Sequence, residues 1–384
     1  MSKFIKIIFF IMMGHYFLVL NNATGQEKMQ IGLLVPMTGP NKELGQSIIK
    51  AVRLALKEIG SDFVEIIPKN TNSKPDKALE SAIELKNVGV KIVIGPVFHK
   101  SLLYLDRVKD LTFLSLTNKT LDLPANVISA GINSTSQFNT IKKFLDINQI
   151  KKTIFLLPIQ NFEFEIKEGI KKSKIKPFKQ HLYNTDPTQL TNQIEEITNY
   201  KIRKQNLEDE INRVKNSNDI SKEKKIKKLE QRYSMGGLNF DAVIIADFDE
   251  SLKSVSTSLL YTDVSPKKKY FITLNQWFDE SLLKETDIQP LYYPSINKEN
   301  FEEYKNNYFD IYDEIPSHIT LLSYDLVGLL YYLSLKTDLE NMGKVFKKKN
   351  LFKGKIGVFI IENNKINHKL NFYKIENQKI IEIF

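Results

Sequence analysis

The sequence predicts an α/β protein with two doubly wound parallel-sheet lobes and a helical hairpin inserted in the second lobe. The chain has 384 residues, which is long for one α/β domain and suits two lobes of roughly 150 residues each. Short apolar runs alternate with helical patterns, as in parallel sheets that helices cover on both faces. This alternation begins twice, near residues 29 and 153.

The first alternation opens at Met29–Val35, an apolar run that Pro36 ends. From Leu44 onward apolar residues recur at spacings of three and four, which predicts an amphipathic helix. The pattern indicates a parallel sheet with crossover helices. Further strands are predicted at 63–68, 90–94, 113–116 and 127–130, and further helices at 76–87, 102–108 and 137–145.

The second alternation has apolar runs at 153–157, 242–246 and 270–274, each of which predicts a buried strand. The run Tyr292-Tyr293-Pro294 is interpreted as a strand that returns toward the first lobe. The expected domains are lobe one at 27–148 and 293–348, and lobe two at 149–292 and 349–384.

The segment 198–236 interrupts the second alternation and predicts an antiparallel helical hairpin within lobe two. Within it, residues 201–233 hold eleven Lys or Arg and six Asp or Glu. Its role has two interpretations: a self-packed, solvated decoration, or a docking arm for a protein partner or an anionic glycan. Two apolar stripes mark the helices, one at Leu207, Ile211 and Val214 and one at Ile226, Leu229 and Tyr233.

Residues 1–25 are predicted to be a cleaved signal peptide. Lys3 and Lys6 precede an apolar stretch at 7–20, and Ala23 and Gly25 fit the small positions before a cleavage site. The alternative is an uncleaved anchor, but the stretch is shorter than the about 20 residues of a spanning helix. We therefore expect a periplasmic protein that is soluble after signal cleavage.

Composition excludes several classes of function. The chain has no Cys, so it has no disulfide, thiolate metal site or Cys nucleophile, and it lacks the Cys to which a lipoprotein's lipid is attached. The formal net charge is +10, but the basic residues are scattered, and we expect no nucleic-acid partner. The sequence carries no Walker, GxSxG, HExxH or GxGxxG motif. It predicts no enzyme, no cofactor and no metal site.

A ligand cleft is expected where the strands end. In open α/β sheets, ligands lie beyond the carboxyl ends of the strands, which here selects the loops at 36–41, 95–101, 115–120 and 158–162. His99 has the alternative of a solvated loop residue, and Trp277 that of a core or hinge residue. The candidate cleft residues are Thr38, His99, Ser101, Ser115, Thr117, Asn118, Phe162, Phe248 and Trp277.

Four segments, in order along the chain, resemble the type I periplasmic binding proteins of the leucine/isoleucine/valine-binding class. They are Ile31–Pro40, Ile92–Pro96, Ser323-Tyr324-Asp325 and Phe352–Gly357. The resemblance implies the two-lobed fold and a cleft between the lobes.

Within that class, the chain looks most like the penicillin-binding-protein activator group. Pro36–Asn41, Asp241–Ala246 with a helical insert before it, and Trp277 carry this likeness. It implies a non-catalytic factor that binds and stimulates a peptidoglycan synthase or another envelope protein.

The alternative function is a solute-binding receptor of an ABC importer for an amino acid or small amide, with a small molecule in the cleft. Amino-acid binders of this class hold the ligand carboxylate with small hydroxyl residues, whereas the loop Val97–Lys100 is bulky. Ser115 and Thr117 are plausible donors. Asp279 is the nearest match for the acid that meets an α-ammonium group.

Overall fold

Two sheets and the helices around them form the protein. The computed structural model describes residues 28–160, 162–337 and 343–384, and the predicted signal peptide lies outside the described residues. The strands are β1 Met29–Val35, β2 Val64–Asn70, β3 Ile92–Ile94, β4 Thr112–Ser115, β5 Val127–Ser129, β6 Thr153–Pro158, β7 Lys179–Tyr183, β8 Ala242–Ile245, β9 Tyr270–Thr273, β10 Leu291–Ser295, β11 Asn350–Lys353, β12 Val358–Glu362, β13 Lys365–Lys369, β14 Asn371–Glu376 and β15 Lys379–Glu382.

Helices follow most of the parallel strands and cover both sheets. Short 3₁₀ helices lie at His99–Leu102, Leu105–Arg107 and Thr286–Ile288. The α-helices are α1 Lys42–Ile59, α2 Pro75–Asn87, α3 Ser134–Ile147, α4 Glu163–Ser173, α5 Pro187–Ile197, α6 Tyr200–Lys215, α7 Lys222–Glu230, α8 Asp249–Tyr261, α9 Ser281–Lys284, α10 Lys298–Tyr312 and α11 Thr320–Ser334.

Each sheet has a parallel centre and an antiparallel extension from the end of the chain. The first has the order β11-β12-β13-β5-β4-β3-β1-β2 and the second the order β15-β14-β10-β9-β8-β6-β7. Central strands such as β1, β6 and β8 are buried almost throughout, because helices cover both faces. The predicted fold class of two doubly wound lobes is confirmed.

The end of the chain divides between the lobes differently from the expected boundaries. β11–β13 extend the first sheet through the pairing of Lys365 with Ser129, so the expected place of 350–369 in lobe two is wrong. Asn133 Nδ2 fixes this connection by donating to the Ile366 carbonyl at 2.9 Å. β14 and β15 do join the second sheet.

Helix α3 was expected in lobe one but packs with the second lobe. Its Phe138 and Phe144 lie in the same apolar cluster as Phe155 of β6, and the rings of Phe138 and Phe155 stack at 5.9 Å. Asn133 caps this helix by accepting a hydrogen bond from the Ser136 amide at 2.9 Å. The apolar face of α3 therefore moves the first crossing between lobes to the loop before Ser134.

The insert is a helical hairpin, as predicted, and it is attached at the root of α6. Helices α6 and α7 pack against each other, and Leu207 and Val214 of the first predicted stripe are buried. No residue of α7 itself is buried, and Tyr233 of the second stripe is 76 % exposed because it follows the end of that helix. No helix among the described residues has the length and apolar character needed to cross a membrane.

Candidate functional site

A cavity of about 430 Å³ lies between the lobes, at the carboxyl ends of the parallel strands. The first lobe contributes the loops after β3 and β4, and the second contributes the residues that follow β8 and β9. The segment before α11 closes one side. The lining residues are Leu44, Val97, Phe98, His99, Leu116, Thr117, Asn118, Lys119, Gly131, Ile132, Gln137, Phe248, Asn275, Trp277, Ser317, His318, Ile319 and Leu322.

Buried hydroxyl groups hold the two loops of the first lobe together. Ser115 Oγ donates to the Pro96 carbonyl at 2.7 Å and accepts from the Thr117 amide at 3.2 Å. Ser129 Oγ donates to the Thr117 carbonyl at 2.8 Å. A Cβ at Gly131 would lie 2.5 Å from the same carbonyl oxygen, so only glycine permits this approach. These contacts fix the wall on which Thr117 and Asn118 sit.

A carboxylate from the second lobe holds the next turn of that loop. Glu165 of α4 is 8 % exposed. It accepts hydrogen bonds from the Thr120 amide at 2.9 Å, the Thr120 hydroxyl at 3.0 Å and the Leu121 amide at 2.8 Å. Because the carboxylate and the loop belong to different lobes, the conformation of this part of the cleft wall depends on how the two lobes are placed relative to each other.

The wall of the second lobe is built around Asn275. Its amide donates to Gln137 Oε1 at 2.8 Å, and its Oδ1 accepts from the Trp277 amide at 3.0 Å and from Ser295 Oγ at 2.8 Å. Among the described residues nothing accepts a hydrogen bond from Asn275 Nδ2. This amide group is therefore available to a neutral or negative acceptor in the cavity.

Trp277 and His318 form an aromatic face of the cavity. Trp277 has a φ of 49°, and its ring lies 5.6 Å from that of His318. His318 stacks in turn on Phe301 at 4.8 Å. Burial lowers the pKa of His318, and the positive charge of Lys305 lowers it further. The imidazole is thus neutral at pH 7 and presents an uncharged face.

No negative side chain among the described residues lines the cavity. Its charged or titratable lining consists of Lys119, His99 and His318, and no Asp or Glu among the described residues lines it. Asp247, close by, uses its oxygens on the Tyr183 hydroxyl at 2.6 Å and the Phe248 amide at 2.9 Å. Asp279 instead accepts from the amide and hydroxyl of Ser281, both at 2.8 Å. An ammonium group in the cavity would therefore lack a counter-charge.

The structure places five of the nine predicted residues at the cavity: His99, Thr117, Asn118, Phe248 and Trp277. Whether any of them contacts a ligand stays a prediction. The cavity is also lined by five residues that were not named as candidates, although the first two lie in loops that the strand-end rule selects: Phe98, Lys119, Gln137, Asn275 and His318. The first two lie beside predicted positions. Gln137 and His318 belong to segments that no strand-end rule selects.

The other four predicted residues are not among those that line the cavity. Thr38 is exposed and accepts a hydrogen bond from Asn70 Nδ2 at 2.8 Å. Ser101 is buried in a short 3₁₀ helix, and Ser115 ties two loops together from below. Phe162 packs edge-on against Phe248 at 5.9 Å, so it supports the wall from behind.

Residues 28–140 match the family model described as periplasmic binding protein. No curated protein sequence matches the chain.

Solved structures share the fold over nearly the whole chain. The C-domain of LpoA from Haemophilus influenzae, described as a regulator of PBP1A, is 13 % identical with a TM-score of 0.61 and covers 92 % of this chain and 100 % of its own. The branched-chain amino acid transporter substrate binding protein LivJ from Streptococcus pneumoniae, in complex with isoleucine, is 14 % identical with a TM-score of 0.53, covering 93 % and 100 %.

An ABC transporter substrate-binding protein from Desulfitobacterium hafniense, in complex with leucine, is 13 % identical with a TM-score of 0.61, covering 93 % and 100 %. At such identities the likeness concerns the fold. The neighbours include both a regulator and solute receptors, so the choice between these functions depends on the chemistry of the cleft.

Proposed function

We propose that this chain, which has the two-lobed fold of the type I periplasmic binding proteins, is a non-catalytic periplasmic factor that regulates peptidoglycan synthesis through a protein partner. The observation that carries the proposal is the absence of any Asp or Glu from the cavity lining within the described residues. A receptor for free amino acids has to bind an ammonium group, and burying that group without a counter-charge is costly.

The remaining charge in the cleft also disfavours a zwitterionic ligand. Lys119 is the only Lys or Arg that lines the described cavity, and it would repel an ammonium group. The bulky Phe98 and His99 occupy the wall where amino-acid receptors of this class are expected to have small hydroxyl residues. These features support the proposal that the chain has the fold of the amino-acid receptors but lacks their amino-acid site.

The comparison with the LpoA C-domain supports the class of partner. That domain is described as a regulator of PBP1A, and this chain covers all of it. A two-lobed protein that acts on a peptidoglycan synthase would use its outer surface rather than bind a nutrient. We therefore propose a peptidoglycan synthase as the partner.

A second candidate function is a receptor for a small amide. The cavity volume of about 430 Å³ lies within the range of ligand pockets, about 300–1,000 Å³. The unpaired Nδ2 of Asn275 and the Thr117 hydroxyl can bind a neutral amide, and Trp277 offers an apolar face. This alternative does not require a carboxylate in the cleft.

A thermal-shift screen of the purified protein separates these candidates. Free amino acids, small amides and muropeptides are added, each at millimolar concentration. A ligand at 100 times its Kd stabilises the native state by about 2.7 kcal/mol, which for a chain of this length raises Tm by roughly 3–4 °C. We expect no shift with leucine or isoleucine; a shift of that size would contradict the proposal. A shift with amides alone would favour the receptor.

A further inference from the structure

A second cavity, of about 750 Å³, lies at the root of the hairpin. It lies at the opposite end of the second sheet from the cleft. Lys268 and Lys269 come directly before β9, at its amino end, whereas the cleft residues follow the carboxyl ends of the strands. Its walls come from the start of α6, the segment 231–238 after α7, and the turn between α8 and β9.

The cavity carries an excess of positive charge. Among the described residues, four basic side chains line it, namely Arg203, Arg232, Lys268 and Lys269, against a single acid, Asp263. Asp263 already accepts a hydrogen bond from Ser234 Oγ at 2.5 Å and lies 3.4 Å from Arg203 Nη2. That pair is therefore balanced, and three cations remain without a nearby countercharge in the lining.

Two of these cations have no partner within the described chain. The side chains of Arg232 and Lys268 make no hydrogen bond or ion pair there. Lys269 donates to the Phe240 carbonyl, which is an uncharged acceptor. Arg203 is 6 % exposed and is fixed by bonds to the Thr262 carbonyl at 2.9 Å and Ser234 Oγ at 2.6 Å, so the floor of the cavity is rigid.

The backbone adds hydrogen-bond donors to the cations. Within the described residues, the amides of Gly236 and Gly237 donate to no acceptor. A Cβ on Gly237 would meet nothing within 4 Å, so packing within the described chain does not require glycine there. Bare backbone with free amides beside Arg and Lys is the arrangement that binds oxyanions.

We propose that the hairpin-root cavity binds a phosphate-bearing ligand, with a diphosphate as the best match. Three uncompensated cations balance the two to three negative charges of a diphosphate better than the single charge of a carboxylate. The planar guanidinium of Arg232 suits two phosphate oxygens at once, and the lysines bind as point charges. The volume leaves room for a group attached to the phosphate. The same phosphate chemistry could be presented by a soluble ester or by a lipid headgroup.

The test is calorimetric titration of the purified protein with inorganic pyrophosphate. The double variant Arg232→Gln, Lys268→Gln removes two charge-assisted contacts and should weaken binding by about 100-fold, since each contact is worth roughly tenfold. The matched control Lys227→Gln, Lys228→Gln removes two exposed charges of α7 outside the cavity. We expect the control to bind within about threefold of the unaltered protein, the range of screened surface charges.

A second pair of variants guards against misfolding. Gly237→Asp places a carboxylate in open space and should abolish pyrophosphate binding, whereas Gly237→Asn, of equal size, should reduce it only a few-fold. Co-sedimentation with phosphatidylglycerol vesicles, compared with phosphatidylcholine vesicles, distinguishes a lipid headgroup from a soluble phosphate ester. The proposal would be overturned if the protein bound neither pyrophosphate nor the anionic vesicles. It would also be overturned if the double variant and its control bound pyrophosphate equally well.

Discussion

Glu165 links the two lobes through one buried carboxylate. It lies on α4 and accepts hydrogen bonds from Thr120 and Leu121 of the first-lobe loop that also carries Thr117 and Asn118. The second lobe therefore holds the turn at Thr120 and Leu121 in the first lobe. A change at this residue should affect both stability and the shape of the cleft.

We expect Glu165→Gln to lower the free energy of unfolding by about 1–3 kcal/mol, because the glutamine Nε2 faces amide donors that it cannot accept from. Urea denaturation measures the change. The control is Glu196→Gln on α5, an exposed acid whose side chain makes no hydrogen bond in the described structure, which should change the free energy by less than about 0.5 kcal/mol. Equal effects of the two variants would contradict the role of Glu165.

His368 gives the stability a predictable dependence on pH. It is buried on β13, where Nε2 lies 2.9 Å from the Ala130 carbonyl, and burial lowers its pKa to about 4. The unfolded state, with a pKa near 6.5, binds a proton that the native state does not, so stability is present above about pH 6.5 and is lost as the pH falls toward 4. From pH 7.5 to 5 the residue removes about 2 kcal/mol.

The variant His368→Gln keeps a donor for Ala130 but cannot titrate. Its unfolding free energy should therefore fall by about 2 kcal/mol less than that of the unaltered protein between pH 7.5 and 5. Chemical denaturation at several pH values measures this difference. Parallel pH profiles for the two proteins would show that His368 does not have the lowered pKa.

Elements whose apolar residues are continuous were predictable from the sequence, and edge elements were not. The buried strands β1, β6, β8 and β9 were expected near their observed positions. β7 is largely exposed, β11 lies at a sheet edge with alternating burial, and β15 lies at the edge of the other sheet with three of its four residues exposed, so their apolar signal is weak. The helix expected at 102–108 is instead part of two 3₁₀ helices, since Leu102, Leu105 and Val108 repeat every three residues, which is the 3₁₀ period.

The site was predictable as far as strand ends decide it. Thr117 and Phe248 follow strands closely and were expected, whereas His318 enters the cavity from the segment before α11 and Gln137 from the first turns of α3. Their positions depend on how helices pack between the lobes. That packing involves residues far apart in the chain, which local patterns do not report.

The hairpin should be anchored by its first helix rather than by its second. Leu207 of α6 is 6 % exposed, whereas Ile202 on the same helix is 62 % exposed. We expect Leu207→Ala to cost about 2 kcal/mol, the low end for a buried leucine, and Ile202→Ala to cost less than about 0.5 kcal/mol. Thermal unfolding compares the two variants; a similar loss in both would contradict the packing of α6.

At the scale of the whole molecule, the two lobes are interleaved rather than strung in sequence. The chain forms most of the first sheet, then the second, returns for β11–β13 and ends in β14 and β15. Asn275 and Gln137 line the cavity between the lobes, and Glu165 contacts Thr120 of the opposite lobe. The fold thus provides a cleft, while the described cavity lining lacks the carboxylate that an amino-acid receptor needs.

The most direct test of the account is the rate of peptidoglycan polymerisation by a purified PBP1A-type synthase, with and without this protein. A solute receptor of the same fold, such as the Streptococcus pneumoniae LivJ neighbour, is the matched control. We expect this protein to raise the rate severalfold at equimolar concentration and the control to leave it unchanged. An unchanged rate with this protein, at concentrations well above that of the synthase, would contradict the proposed regulatory function.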